Sequence, residues 1–263
     1  MNSGKTRRLR RIMQKDNHTV IVPMDHGVTV GPIQGITNMQ QIIDQLVKGK
    51  VDAILIHKGI AKQVDVGNAG LIVMLSGMSN LSPNLNGKVQ VCSVQGAIRV
   101  GADAVSVHVN VGSQDEDKML HNLGKVADEC DVFGMPLLAM MYPRGPKIPN
   151  EHGVDVVAHA ARIGAELGAD IIKTNYTGSI DSFKTVTESC PVPVVIAGGP
   201  KCKTLEEILQ TTADAMKAGA AGLSIGRNIF QCDKPTLLSK SLSAIVHENA
   251  SVEQALKILG EKR

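Results

Sequence analysis

Four segments of the chain repeat one arrangement: a helix-like run, a short break of glycine, alanine or lysine, a small or acidic residue, and then an apolar run. They read LVKGKVDAILIH (residues 46–57), AIRVGADAVSVHV (97–109), GAELGADIIKT (164–174) and MKAGAAGLSIG (216–226). Glycine at such a break tolerates the left-handed conformation that ends a helix, so each segment reads as a tight joint from helix to strand. Four further apolar runs lie between them: TVIVPM (19–24), LIVML (71–75), PLLAMM (136–141) and PVVIA (193–197). All eight are continuous rather than alternating, as parallel strands covered on both faces require. Most are separated by amphipathic helical stretches, which favours a single (β/α)₈ TIM barrel over an open doubly wound sheet. The connection over residues 58–70 is short for a full helix.

At 263 residues the chain has the length of one such barrel, and no Pro/Ser-rich linker divides it. We therefore read residues 1–263 as one α/β domain, with residues 1–18 a basic N-terminal helical extension carrying KTRRLRR (5–11). Leu9, Ile12 and Met13 fall at helical spacing in that extension and can pack it on the body. No long apolar run or small-residue cleavage site follows it, so it reads as neither a signal peptide nor a membrane anchor. The formal net charge is only +3, with acids and bases interspersed, which argues against a nucleic-acid partner. The five cysteines, Cys92, Cys130, Cys190, Cys202 and Cys232, show no CxxC spacing. Reduced thiols in a cytoplasmic protein, with no zinc site and no disulfide framework, are expected.

In barrels of this kind the chemistry sits at the C-terminal ends of the strands. Reading those ends in order gives Asp25 and His26, His57 and Lys58, Ser76, His108 and Asn110, Tyr142 and Arg144, Lys173, Gly198-Gly199, and Gly226-Arg227. Lys173 stands out because it interrupts the apolar run ADIIKT. A buried ammonium is costly unless it is paired or loses its proton, and an amine with a lowered pKa is what attack on a carbonyl requires. Asp25 on the first strand and Tyr142 on the fifth place a carboxylate and a phenol at the same mouth, suited to proton transfer. The paired loops IAGGPK and SIGRNIF close the seventh and eighth strands, where backbone N–H groups of glycine turns commonly hold phosphate. Arg227 adds a fork-shaped permanent cation, so a phosphorylated substrate is expected. No HxH or HExxH spacing supports a metal, and His57, Lys58, His108 and Asn110 are read as pocket lining.

Long stretches at every strand end, among them VIVPMDHGVTVGPIQG, ILIHKGI, GADAVSVHVNVGS, MPLLAMMYPRG, GADIIKTNYTGSIDSF, PVVIAGGPK and AGAAGLSIGRNIFQ, resemble the barrel-type lysine-dependent class I aldolases of archaea and some bacteria. The resemblance implies that Lys173 forms a Schiff base, that Tyr142 donates a proton and that Asp25 accepts one. It also implies substrate contacts from Asp25, His26, Gly27, Val28 and Thr29, from Tyr142, Pro143 and Arg144, and from Gly198, Gly199, Gly226 and Arg227. The activity it implies is a transaldol reaction without cofactor or metal. Donor and acceptor would be 1-deoxy-D-threo-hexo-2,5-diulose 6-phosphate and L-aspartate 4-semialdehyde, in an alternative route to 3-dehydroquinate, catalysed by a homodecamer. Within the same family, fructose-1,6-bisphosphate aldolase is the alternative; those enzymes tend to carry Glu-His after DHG, where this chain has Val28, Thr29 and Val30. A sugar-phosphate-binding protein without turnover is the reading outside enzymes.

Overall fold

In the computed structural model, which describes residues 3–199, 202 and 204–260, eight parallel strands close into a barrel. They are β1 (Thr19–Pro23), β2 (Ala53–His57), β3 (Gly70–Met74), β4 (Ala104–Val111), β5 (Leu137–Pro143), β6 (Ile171–Thr174), β7 (Val194–Ala197) and β8 (Gly222–Ser224). Each pairs with the next in chain order, and β8 returns to β1 through the register Ile21 to Ser224. Six helices come first: α1 (Ser3–Ile12), α2 (His26–Val30), α3 (Met39–Lys48), α4 (Lys58–Ala61), α5 (Val94–Ile98) and α6 (Glu116–Phe133). The rest are α7 (Val154–Glu166), α8 (Ile180–Ser189), α9 (Leu205–Lys217), α10 (Arg227–Phe230), α11 (Pro235–Glu248) and α12 (Val252–Leu259). The barrel read from the eight apolar runs is thus present, and the short connection after β2 holds only the one-turn α4. One element was not anticipated: Ser76–Gly77 pairs antiparallel with Val89–Gln90, making a small ribbon in the connection from β3 to β4.

The strands are buried on both faces because two apolar layers use alternate residues. Ile21, Leu55, Ile72, Met74, Leu138, Met140, Ile171 and Val195 fill the barrel interior, while Val20, Val22, Ile54, Val105 and Ile172 pack outward against the helices. Leu9, Ile12 and Met13 of the N-terminal segment join the inner cluster, and Ile12 is completely buried. The basic segment is therefore the floor of the barrel rather than a solvated arm.

The acidic residue of the repeated joint explains why the helix docks there. Asp52, Asp103 and Asp170 stand just before β2, β4 and β6, and each accepts a backbone N–H from the neighbouring odd strand. The donors are Val20 at 2.6 Å, Leu71 at 2.9 Å and Leu137 at 2.9 Å. The same carboxylates hold the N-terminal segment: Gln14 Nε2 donates to Asp52 at 2.6 Å, Arg11 Nε lies 3.6 Å from Asp103, and Lys5 Nζ lies 3.1 Å from Asp170. Lys5 also donates to Asp131 at 2.8 Å. Burial disfavours its ammonium, yet the two carboxylates outweigh that and raise its pKa above the ordinary lysine value. The fourth joint has no aspartate. Gly222 occupies it at φ 128°, where a Cβ would collide with the Thr19 carbonyl oxygen, so glycine lets β8 approach β1 and close the sheet.

His247 of α11 completes the floor by bridging Asp16 at 2.8 Å and Asp52 at 2.9 Å. Burial works against its imidazolium, but hydrogen bonds to the two carboxylates prevail and raise its pKa to about 9. A group whose pKa rises on folding stabilises the native state fully below its unfolded pKa and loses that contribution as pH climbs through the folded value. The bridge should therefore supply about 3 kcal/mol at pH 6.5 and almost nothing above pH 9.5. Denaturant titrations of wild type and His247→Asn should differ by that amount at pH 6.5 and converge at pH 9.5. A gap that is equal at both pH values would mean that the ring acts through packing alone.

Candidate active site

Lys173 lies one residue from the end of β6, in register with Met140 of β5 and Val195 of β7. It is 6% exposed, and among the described residues no hydrogen bond or ion pair holds its ammonium. Burial lowers its pKa to about 8; the charge of Asp25 works against this shift and that of Arg144 adds to it. About a tenth of the amine is then neutral at pH 7, far more than for an ordinary lysine, on a side chain fixed by a strand. The lysine borders a cavity of about 470 Å³ whose wall includes Pro23, His26, Tyr142, Arg144, Glu151, His152, Asn175, Ala197, Ser224, Asn228 and the glycines of the β7 and β8 ends.

The other residues singled out in the sequence divide into two groups. Tyr142, Arg144, His26, Gly198, Gly199, Gly226 and Arg227 line this cavity with Lys173. Asp25, between β1 and α2, stands close enough for its charge to act on Lys173, Tyr142, His26 and His57. Gly27, Val28 and Thr29 lie on α2 away from the cavity wall, with Val28 42% exposed, and Pro143 is buried at the end of β5. Pro200 and Lys201 of the IAGGPK loop lie outside the described residues.

Tyr142 is buried, and that burial raises its pKa above the ordinary phenol value, so its hydroxyl keeps its proton and can give it away. The Arg144 guanidinium carbon stands 4.7 Å from the centre of the Tyr142 ring, and its Nε donates to Glu151 at 3.0 Å. His108 also packs near the tyrosine, its ring centre 5.0 Å from the Tyr142 ring centre, and shares a 2.9 Å hydrogen bond with Asn110. Burial, reinforced by the cations around it, holds His108 neutral with a pKa of about 3. Lys58 turns away to donate to the Val91 carbonyl at 2.8 Å. Among the described residues no group of three His, Cys, Asp or Glu side chains is arranged to hold a metal.

At the β7 and β8 ends, Asn228 ties the two loops together: its amide donates to the Gly198 carbonyl at 3.0 Å and its oxygen accepts from Cys202 N at 2.8 Å. Gly226 is required sterically, since a Cβ there would clash with the Pro23 carbonyl oxygen and stand 2.8 Å from His26 Cε1. Arg227 then begins α10 with its side chain on the cavity. Among the buried polar atoms of the described residues that form no hydrogen bond are His26 Nδ1, which lies 3.8 Å from Asp25 Oδ1, and Ser224 Oγ. Both belong to residues that line the cavity, as expected of groups that await a ligand.

Sequence reasoning passed over Glu151, His152, Asn175, Ser224 and Asn228. Asn175 and Asn228 sit two residues and one residue beyond Lys173 and Arg227, in the strand-end loops that the barrel rule marks, so a signal for them existed. Glu151 and His152 lie eight or more residues beyond β5, where only the fold shows that the loop returns.

Comparison with known proteins shows the family. The sequence model of the DeoC/LacD family aldolases matches residues 19–232. The chain is 45% identical over 261 residues to 2-amino-3,7-dideoxy-D-threo-hept-6-ulosonate synthase 1 of Archaeoglobus fulgidus, covering 98% of this chain and 96% of that protein. It is 41% identical over 252 residues to 2-amino-4,5-dihydroxy-6-oxo-7-(phosphonooxy)heptanoate synthase of Streptomyces griseus, covering 94% of this chain and 92% of that one. Among solved structures, it is similar to an archaeal fructose-1,6-bisphosphate aldolase whose catalytic lysine carries a carbinolamine intermediate. There the TM-score is 0.86 at 33% identity, with 92% of this chain and 99% of that chain covered.

The lowered pKa of Lys173 has a direct readout. Reductive methylation with formaldehyde, followed by peptide mass spectrometry across a pH series, should show Lys173 reacting with a midpoint near pH 8, while exposed lysines titrate near the ordinary 10.5. Asp25→Asn removes the charge that favours the ammonium, so the midpoint should move below 8 in that variant. A midpoint that stays with the exposed lysines would contradict the site as drawn.

Proposed function

This chain belongs to the DeoC/LacD family of aldolases, and from that premise we propose that it is a lysine Schiff-base transaldolase acting on a phosphorylated keto-sugar and an amino-acid aldehyde. The donor in this reading is 1-deoxy-D-threo-hexo-2,5-diulose 6-phosphate, the acceptor is L-aspartate 4-semialdehyde, and the product is 2-amino-3,7-dideoxy-D-threo-hept-6-ulosonate. The observation that carries it is the buried, unpaired Lys173 amine, which shares one cavity with the protonated Tyr142 phenol and lies within reach of the Asp25 charge. A binding protein without turnover would have no use for a desolvated amine between an acid and a base.

The steps follow from those three groups. Neutral Lys173 Nζ attacks the methyl-ketone carbonyl, and the carbinolamine loses water to give an iminium, which acts as an electron sink. Asp25 takes the proton of the hydroxyl on the fourth carbon, the bond between the third and fourth carbons breaks, and its electron pair passes into the iminium to form an enamine. The three-carbon aldehyde phosphate departs. The enamine carbon then adds to the incoming aldehyde, Tyr142 gives a proton to the developing alkoxide, and water releases the seven-carbon product and the free amine. The imine polarises the bond, so no metal is called for. The glycine turns at Gly198-Gly199 and Gly226, with Arg227, form the pole suited to phosphate. The family resemblance extends this reading to a homo-oligomer of ten chains.

Fructose-1,6-bisphosphate cleavage is the competing activity, because the solved relatives at 33% identity include aldolases of that sugar. Borohydride trapping separates the two. Wild type incubated with the diulose phosphate and then reduced should carry mainly a three-carbon adduct on Lys173, and fructose 1,6-bisphosphate should trap poorly. Lys173→Met should trap nothing while keeping its fold. Asp25→Asn should fall by ~10²-fold in turnover and retain the intact six-carbon adduct, since cleavage and not imine formation needs that base. A three-carbon adduct forming at wild-type rate in Asp25→Asn would remove Asp25 from the role of cleavage base.

A further inference from the structure

Among the described residues, the wall of the Lys173 cavity carries four side chains of the types charged at neutral pH: Lys173, Arg144, Glu151 and Arg227. Arg144 and Glu151 offset each other across a 3.0 Å contact. Lys173 loses its charge during the proposed reaction, because the electron pair that enters the iminium leaves a neutral enamine nitrogen. Arg227 has no carboxylate within ion-pair distance among the described residues, and none of them accepts a hydrogen bond from its guanidinium. When the second aldehyde arrives, Arg227 is thus the uncompensated cation of this set.

Its guanidinium is presented from a fixed backbone. The three residues that follow it in α10, Asn228, Ile229 and Phe230, are buried. Asn228 is bonded to Gly198 and Cys202 in the loop after β7, and the Phe230 ring meets His26 edge-on with ring centres 5.3 Å apart. Gln231 closes the turn, donating Nε2 to the Gln34 carbonyl at 3.0 Å. The arginine stem itself is exposed, so the head can move by an ångström or so while its Cα stays in place.

In a transaldol reaction the departing and arriving aldehydes use the same enamine carbon, and the second enters the space that the first has left. Both carry an anion at their far end. The phosphorus of the departing fragment stands only one bond further from its aldehyde carbon than the carboxylate carbon of aspartate 4-semialdehyde stands from its own. A guanidinium fork accepts either anion in two parallel hydrogen bonds, and the difference of one bond lies within the reach of a mobile head. Resting on the transaldolase reading above, we propose that Arg227 serves twice, binding first the phosphate of the departing fragment and then the α-carboxylate of the incoming aldehyde, and so sets acceptor as well as donor specificity. The two anions exclude each other, so free phosphate compounds slow the second half-reaction by occupying the place of the acceptor.

The test uses the diulose phosphate as donor and three acceptors: aspartate 4-semialdehyde, succinate semialdehyde, which keeps the carboxylate but lacks the amino group, and propanal, which lacks both. Wild type should favour the two carboxylates over propanal in kcat/KM. Arg227→Gln should raise KM for the diulose phosphate and for both carboxylate acceptors by roughly tenfold to a hundredfold, the loss of a charge-assisted contact, and should change propanal little. Arg227→Lys should restore part of the preference, which packing alone would not produce. At saturating donor, inorganic phosphate should raise the wild-type KM for aspartate 4-semialdehyde without lowering kcat, and this inhibition should weaken in Arg227→Gln. If Arg227→Gln raises KM for the donor yet keeps the wild-type preference for carboxylate acceptors, or slows all three acceptors alike, the double role is overturned while the transaldolase reading stands. If wild type cleaves the diulose phosphate but accepts no aspartate 4-semialdehyde, the reading and the assignment fall together.

Discussion

A closed barrel has two ends, and the three aspartates at the bases of the even strands decide which one can hold a ligand. Asp52, Asp103 and Asp170 each brace an N–H in the first two residues of an odd strand and each also bind a polar side chain of the N-terminal segment. A carboxylate in that position would be expensive if it met only apolar neighbours, because burying an unpaired charge costs several kcal/mol. Supplying Gln14, Arg11 and Lys5 removes the penalty and brings Ile12 down onto the inner core as a stopper. With the floor sealed, the polar strand ends and loops opposite form the open face, and the cavity beside Lys173 lies there.

The two ends treat buried charge in opposite ways. At the floor, every cation that is drawn inward meets carboxylates, so Lys5 and His247 have raised pKa values and remain charged. At the mouth, desolvation prevails: His26, His57, Lys88, His108 and Lys173 are all shifted down, with Asp25 the carboxylate that moderates four of them. The floor spends electrostatics on stability, and the mouth withholds counter-ions so that an amine can lose its proton and anions can find unpaired cations.

The barrel was legible in the sequence because its signal is local and repeated. Continuous apolar runs and glycine breaks report strands and joints without any knowledge of what they pack against. Lys173, Tyr142, Arg144 and Arg227 were legible for a related reason, since each directly ends a strand or follows one, and the fold fixes where such residues go. The acidic residue of the joint was visible as a pattern, but its partners are not local. Lys5 meets Asp170 across 165 positions, and nothing in KTRRLRR distinguishes a solvated basic arm from one that satisfies three carboxylates. Glu151 was missed because it sits eight residues beyond β5, and its return to the cavity shows only in its pairing with Arg144.

That division has a consequence for how such a site can change. The buried amine is carried by strands: β6 holds Lys173 between β5 and β7, and its geometry is tied to the register of the whole closed sheet. A shift there would disturb every layer of the interior. The connection between β3 and β4, by contrast, is more than 25 residues long and is pinned at a few hydrogen bonds and a two-residue ribbon. Substitutions there can reshape that side of the mouth without moving a barrel strand. The rim of the mouth and the strand-borne amine are therefore separable in this architecture, the first held by loop anchors worth about 1 kcal/mol each and the second by the packed barrel itself.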